Sequence, residues 1–181
     1  NSTSEHLSEL HWQHYITVHI TDPSGTKLAN ANVSGFNVLG EEEDSVSTNS
    51  DGDSNLALSE WYMENNVRYI VTNNHTITVS LAGYMANKTS IVVNESKVIN
   101  LTITPLTCGM EIVEDSLLGE NMTSNGTCFT IINDDVELDG DNYQITGNGS
   151  GSLIVASNYT EVNIKDITLT NATIGVEFTD Q

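Results

Sequence analysis

Between residues 129 and 178 the sequence repeats itself. Phe129 and Ile131 recur as Leu153 and Val155, then as Val176 and Phe178, a step of 24 and then 23 residues. Val136 and Leu138 recur as Val162 and Ile164, and Tyr143 and Ile145 as Ile167 and Leu169. Each step holds three short apolar pairs parted by Asn, Asp and Gly, a spacing for strands and turns rather than helices. A unit this short cannot bury its apolar face alone. Successive copies must therefore stack as a coiled solenoid.

Upstream the apolar pattern has a period of two. In "HYITVHI", Ile16, Val18 and Ile20 share one face while Tyr15, Thr17 and His19 share the other, which predicts a half-buried strand. "TDPSG" then supplies a turn, "ANVSGFNV" a second strand, "GEEEDS" an acidic tip, and "DSVSTNSDGDSNLALS" a strand, a turn and a strand. "VRYIVT", "HTITVSL" and "KTSIVVNESKVINLTIT" add further strands, and "SEWYMENN" reads as a turn of helix. Short strands at this spacing predict a β-sandwich. The chain divides as an N-terminal arm over 1–11, a sandwich over 12–106 and coils over 107–181.

Charge limits the partners. The 25 acidic residues outweigh five Lys or Arg, for a net charge of −20. Such a chain repels nucleic acid and anionic membranes, which are bound through cationic contacts. No stretch approaches the length of apolar sequence that spans a bilayer, so membrane insertion is not expected. The opening "NSTSEHLSEL" has no methionine, which predicts a removed secretory leader or a fragment.

Eleven Asn residues stand two places before Ser or Thr: Asn1, Asn32, Asn74, Asn87, Asn94, Asn100, Asn121, Asn125, Asn148, Asn158 and Asn171. Random placement of the same residues would give about 4.5 such sequons, so the excess predicts N-glycans on a secreted protein. The alternative is an Asn- and Thr-rich β protein whose sequons go unused. Cys108 and Cys128, the two cysteines, read as a structural bridge in an extracellular domain; two free thiols or a metal site are the alternatives.

Two resemblances enter here. Asp22, Gly25, Leu28, Ala31, Val33, Thr48, Gly52, Gly83 and Tyr84 follow the order of the carboxypeptidase-regulatory-like, or transthyretin-like, β-sandwich. That likeness covers about residues 12–104 and implies a spacer or adhesion module with no catalytic residues of its own. "LDGDNYQITGNGSG" and the repeat around it resemble the right-handed parallel β-helix of the pectate-lyase-like superfamily. In that likeness "CGMEIVEDSLLGENMTSNGTCFTI" is the entry coil, and a bridge from Cys108 to Cys128 would pin it shut. The fold class implied is all-β: a transthyretin-like sandwich plus a short right-handed parallel β-helix. The pairing of domains, the acidity and the sequons together resemble archaeal cell-surface proteins.

β-Helix proteins include polysaccharide lyases and hydrolases, so the resemblance admits catalysis of either kind. A lyase needs a strong base or a bound cation near the α-proton, yet Lys165 is the one Lys or Arg after residue 107, with no His. A hydrolase needs two carboxylates facing one groove. Asp134 and Asp135 are adjacent and would face opposite ways on a strand; Asp139 and Asp141 share a face but form the "LDGD" turn. "NSDGDSN" could offer calcium Asn49, Asp51 and Asp53, but it lacks the EF-hand glycine and closing Glu, so a hairpin is the simpler reading. His6, His11, His14 and His19 cluster in sequence, with His14 and His19 on opposite faces of a strand.

The expectation is a non-enzymatic, cofactor-free subunit of an extracellular surface filament, sheath or layer. It would associate with itself head to tail through an open coil end at Ile174, Val176 and Phe178 and carry covalent N-glycans. The alternative is an adhesin or carbohydrate-binding fragment of a larger surface protein.

Overall fold

The computed structural model describes residues 10–64, 67–70, 75–157 and 159–179. Every helix or strand assigned among them is a strand. In chain order these are β1 (Leu10–Thr21), β2 (Asn32–Phe36), β3 (Glu42–Ser47), β4 (Asp53–Glu64), β5 (Val67–Ile70), β6 (His75–Ser80) and β7 (Tyr84–Met85). There follow β8 (Asn87–Ile91), β9 (Lys97–Thr102), β10 (Thr104–Pro105), β11 (Met110–Ile112), β12 (Ser116–Leu117), β13 (Met122–Thr123) and β14 (Phe129–Ile131). The last six are β15 (Glu137–Asp139), β16 (Gln144–Thr146), β17 (Ser152–Ser157), β18 (Asn163–Lys165), β19 (Thr168–Thr170) and β20 (Ile174–Thr179).

The chain forms two compact units. One gathers Asn1–Thr21, Gly25–Val79 and Lys88–Leu101, the other Asp22–Ser24, Ser80–Asn87 and Thr102–Gln181. The division differs from a single cut at residue 106, because the segment around β7 groups with the second unit.

The first unit is a β-sandwich of two four-stranded sheets, ordered β5-β4-β1-β9 and β3-β2-β6-β8. Alternation decides its core. Ile16, Val18 and Ile20 of β1, Leu56 and Leu58 of β4, Val33 of β2, and Ile77 and Val79 of β6 are buried, and their neighbours point outward. Burial of this kind stabilises by about 1.5–3 kcal/mol per large side chain. The sheets meet closely where Gly35 faces β4: a Cβ there would stand 2.5 Å from Leu58 Cδ2, so a larger residue would wedge them apart.

Buried Thr48 ties the β2 entry to the β3 exit. Its hydroxyl donates to Leu28 O at 2.6 Å and accepts the Ala31 N–H at 3.0 Å, which gives the Leu28, Ala31 and Thr48 spacing a physical cause. Where β4 has no strand beside it, carboxylates take its N–H groups. Asp44 Oδ2 accepts from Ala57 and Glu43 Oε2 from Ser59, both at 2.8 Å. Part of the acidic tip thus serves as edge protection.

Two sequence expectations change here. β1 begins at Leu10, paired with Met63, so the end of the expected arm is already strand. "SEWYM" is strand, not a turn of helix: Trp61, Tyr62 and Met63 pair with Trp12, His11 and Leu10. A register shift between Trp12 and Gln13 leaves Glu60 as an extra residue on β4, and this bulge hides the alternation.

In the second unit the same chain path is traversed repeatedly. β11, β14, β17 and β20 form one ladder, β12, β15 and β18 a second, and β13, β16 and β19 a third. Every pairing within these ladders is parallel. Leu138 aligns with Ile164 and Ile145 with Leu169, as the repeat predicts. Phe129 aligns with Ile154 rather than Leu153, and Ile131 with Ala156 rather than Val155. The one-residue slip arises in "LIV", where Leu153 and Ile154 are both fully buried and periodicity cannot choose between them. Tyr84 and Met85 pair antiparallel with Leu117 and Ser116, covering one edge of the first rung.

Candidate functional site

The last rung is where the second unit's pattern changes. In the first ladder Phe129 and Ile131 are 0% exposed and the aligned Ile154 and Ala156 are 0% and 3%. On β20 the aligned Val176 is half-buried and Phe178 is 61% exposed, with Ile174 at 43%. The other ladders change likewise: Leu138 and Ile145 are buried, whereas their partners Ile164 and Leu169 are only partly so. β18, β19 and β20 stand last in their sheets, each with one edge that no described strand pairs. Ile174, Val176 and Phe178 therefore lie on one strand, though Ile174 and Phe178 are the more open.

Cys108 and Cys128 form a disulfide. Gly109 N–H donates to Cys128 O at 2.6 Å, and Met110 pairs with Phe129. The bridge thus joins the first two rungs immediately before β11 and β14.

Glu137 and Asp139, two apart on β15, project opposite to the core residue Leu138. Lys165 of β18 lies 2.8 Å from Glu137 Oε1 and 3.3 Å from Asp139 Oδ2. Asn163 Nδ2 also donates to Glu137, and Asp141 N–H to Asp139 Oδ1, both at 2.8 Å. The Asp141 N–H is the main cause holding the Asp139 carboxyl below its ordinary range; partial desolvation opposes it, and Lys165 adds to the lowering. Lys165 is raised by its bonds to Glu137 and then Asp139. A general acid needs the opposite shift, a carboxyl held protonated near neutral pH. Beside this trio is a hollow of about 240 Å³, lined among others by Tyr84, Asp115, Glu137 and Asp139.

Asp134 and Asp135 lie between strands, not on one. Asp134 accepts the Thr160 N–H at 2.6 Å, and Asp135 adopts a left-handed φ of 56°. In the first unit Asn49 Oδ1 accepts the N–H groups of Asp51 and Asp53, as a hairpin turn requires. Asp51 meets Lys27 and Asp53 meets His19. His14 bonds Glu60 and His11 bonds Ser59, so these histidines have separate partners; His6 lies outside the described residues. Among the described residues no three His, Cys, Asp or Glu side chains gather as a cation site.

The sequon asparagines divide into two kinds. Asn32, Asn94, Asn100, Asn121, Asn125, Asn148 and Asn171 are exposed, Asn87 is half-buried, and Asn1, Asn74 and Asn158 lie outside the described residues. Several also bridge rungs. Asn148 Nδ2 donates to Asn125 O at 2.8 Å, Asn171 Nδ2 to Gly147 O at 2.7 Å, and Asn121 Oδ1 accepts the Gln144 N–H at 2.8 Å. Part of the Asn excess therefore has a structural cause, independent of sugar.

Sequence reasoning missed a cluster of rings. Trp12 and Trp61, the two tryptophans, stack 6.1 Å apart across β1 and β4, and the guanidinium of Arg68 on β5 stands 4.7 Å from the Trp61 ring. On the other face of this ribbon Tyr62 stacks with His11 at 5.7 Å and with Tyr69 at 4.9 Å. The signal was present as "HWQHY", "EWYM" and "VRY", but only strand pairing brings the three segments together.

No family model matches the chain, and no curated protein matches it. Solved structures similar to it include 3-chlorocatechol 1,2-dioxygenase from Rhodococcus opacus 1CP, at 10% identity over 54% of this chain and 62% of that one, TM-score 0.39. The 5-hydroxyisourate hydrolase of Klebsiella pneumoniae is similar at 18% identity over 51% of this chain and 90% of that one, TM-score 0.37. The shaft pilin SpaA of Lactobacillus rhamnosus GG is similar at 9% identity over 62% and 56%, TM-score 0.37. The chain spans less than two thirds of the dioxygenase and of the pilin. Likeness this distant assigns neither activity nor partner. Among the described residues no helix is long and apolar enough to cross a membrane.

Proposed function

We propose that the chain is a non-catalytic structural module of an extracellular surface assembly. In this reading the first unit is a transthyretin-like sandwich and the second is the opening coils of a right-handed parallel β-helix. The observation that carries it is the last rung, whose inward column loses the cover that the two rungs before it receive, at Phe178 above all. An uncovered parallel edge is a template for another strand set in the same register. Such a rung comes either from further chain of the same polypeptide or from a second copy; in the second case, which is the one proposed, head-to-tail repetition of the contact builds a filament or sheet.

Three observations support a structural role over an enzymatic one. The Glu137, Asp139 and Lys165 trio satisfies its own charges, Asp134 is engaged with Thr160, and the disulfide joins two rungs where the ladder starts. The disulfide also suits an oxidising compartment outside the cell, as do the sequons if they carry N-glycans that shield the exposed faces. Negative-stain electron microscopy of the native protein, with an intact mass measured beside it, tests the reading. Regular filaments or sheets built from glycosylated subunits are expected. Dispersed, unglycosylated monomers would contradict it.

A further inference from the structure

The ring cluster of the first unit lies where a covered face becomes an uncovered one. Along β1 the residues that share a side with Ile20, Val18 and Ile16 are, two at a time, His14, Trp12 and Leu10. The first three are buried, whereas Trp12 is 55% and Leu10 58% exposed. On β4 the bulge at Glu60 brings Trp61 opposite Trp12, so the same face runs on past the second sheet. The β2–β3 tip stands at this end too. Asp44 and Glu43 take the Ala57 and Ser59 N–H groups in turn, which places Glu42 and the tip toward Trp61. That tip carries Val38 and Leu39, at 48% and 75% exposure. Leu10 and Trp12 on this face and Val38 and Leu39 on the tip are four of the twelve large exposed apolar side chains among the described residues, whereas Tyr15, Val67 and Tyr69 lie on the other face of the ribbon. Concentration of that kind marks a contact surface, whereas single exposed residues do not.

Charge selects the occupant. A chain with net charge −20 repels its own copies over most of its surface. This end is acidic too, but Glu43, Asp44 and Glu60 are engaged within the sandwich, Arg68, the one arginine, stands over Trp61, and Glu41 and Glu42 flank the apolar tip. A patch that holds an aromatic stack with a cation and an aliphatic tip with acids is self-complementary. We propose that two copies of the chain associate through this end of their sandwiches. About a two-fold axis, the Trp12 and Arg68 ribbon face of each would cover the Leu39 and Glu42 tip of the other. This contact is separate from rung stacking and stands whether or not the ladders stack. A stable dimer buries about 800 Å² per partner, so the ribbon face and the tip are needed together.

Sedimentation velocity of the full chain across a concentration series tests this. With rung stacking blocked by Phe178→Asp the chain should still dimerise, and adding Leu39→Asp should weaken that dimer by about tenfold or more, as loss of a central anchor does. Leu39 is too exposed for that change to unfold the sandwich. In the same background Arg68→Glu should also weaken association, and Arg68→Glu with Glu42→Arg should restore it. A Phe178→Asp chain that stays monomeric, or a dimer indifferent to Leu39→Asp, would overturn the proposal. So would a monomer whose tryptophan fluorescence shifts with oligosaccharides, since the rings would then be a sugar site.

Discussion

Gly140 packs against Asp166 of the next rung: its N–H donates to Lys165 O at 2.9 Å, and a Cβ on it would stand 2.5 Å from the Asp166 carbonyl oxygen. The neighbour is backbone between β18 and β19 whose carbonyl also accepts the Asn142 N–H, so it cannot move aside cheaply. Gly140→Ala should therefore destabilise by about 1–3 kcal/mol, the usual range for an overpacked site. Denaturant unfolding followed by a probe in the second unit checks this. An unchanged midpoint would mean that the rungs are looser than the geometry requires.

Asp139 and Lys165 make a prediction about pH. The folded pKa of Asp139 lies below its ordinary 3.8, so its contribution is fully present above that value and is lost as pH falls through the lower folded one. Lys165 is raised above 10.5, so its contribution is present below that pH and is lost as pH rises through the raised value. Both groups are half-buried at the surface and screened by solvent, so the effect is correspondingly small. In Lys165→Met the Asp139 pKa should rise but stay below 3.8, because the Asp141 N–H is the larger cause. Carboxyl NMR titration measures this directly; a rise past 3.8 would assign the lowering to Lys165 instead.

The bridge between Cys108 and Cys128 should matter most at the first rung. Changing both to Ser should cost about 3 kcal/mol in the chain-entropy model. Hydrogen exchange should speed at Met110–Ile112 while β16 and β17 keep their protection. Uniform loss of protection across all rungs would show instead that the bridge holds the whole unit.

His75 is fully buried, and neither ring nitrogen has a hydrogen-bond partner. Glu43 Oε2 is 3.5 Å away, within Coulomb reach but too long for a good bond, and it already accepts from Ser59. A buried polar ring without partners is costly, so His75→Leu should stabilise the sandwich by about 1–2 kcal/mol. A lower melting temperature would mean that the ion pair with Glu43 outweighs that cost.

Much of the fold was legible because periodicity was undisturbed. Ile16, Val18 and Ile20 announced β1, and Leu138 with Ile164 and Ile145 with Leu169 announced two of the ladders. Reading failed where local signals were degenerate or partners distant. "LIV" at Leu153, Ile154 and Val155 allowed two registers, and both of the first two residues turned out to be inside. Glu60 broke the alternation of β4, so Trp61 and Tyr62 passed for a helical turn. Gly83 and Tyr84 carried a sandwich motif, but Tyr84 pairs with Leu117 of β12, a partner about thirty residues away that no local pattern names. The ring cluster was invisible for the same reason, since Trp12, Trp61 and Arg68 belong to three segments.

The central claim is that the last rung continues into another. Amide hydrogen exchange of the native assembly at β18, β19 and β20, compared with the isolated chain, tests it most directly. Added rungs should protect the outward N–H groups of Thr168–Thr170 and Ile174–Thr179 in the assembly and leave them fast in the isolated chain. Equal, fast exchange in both would show that no strand covers that edge and would contradict the account.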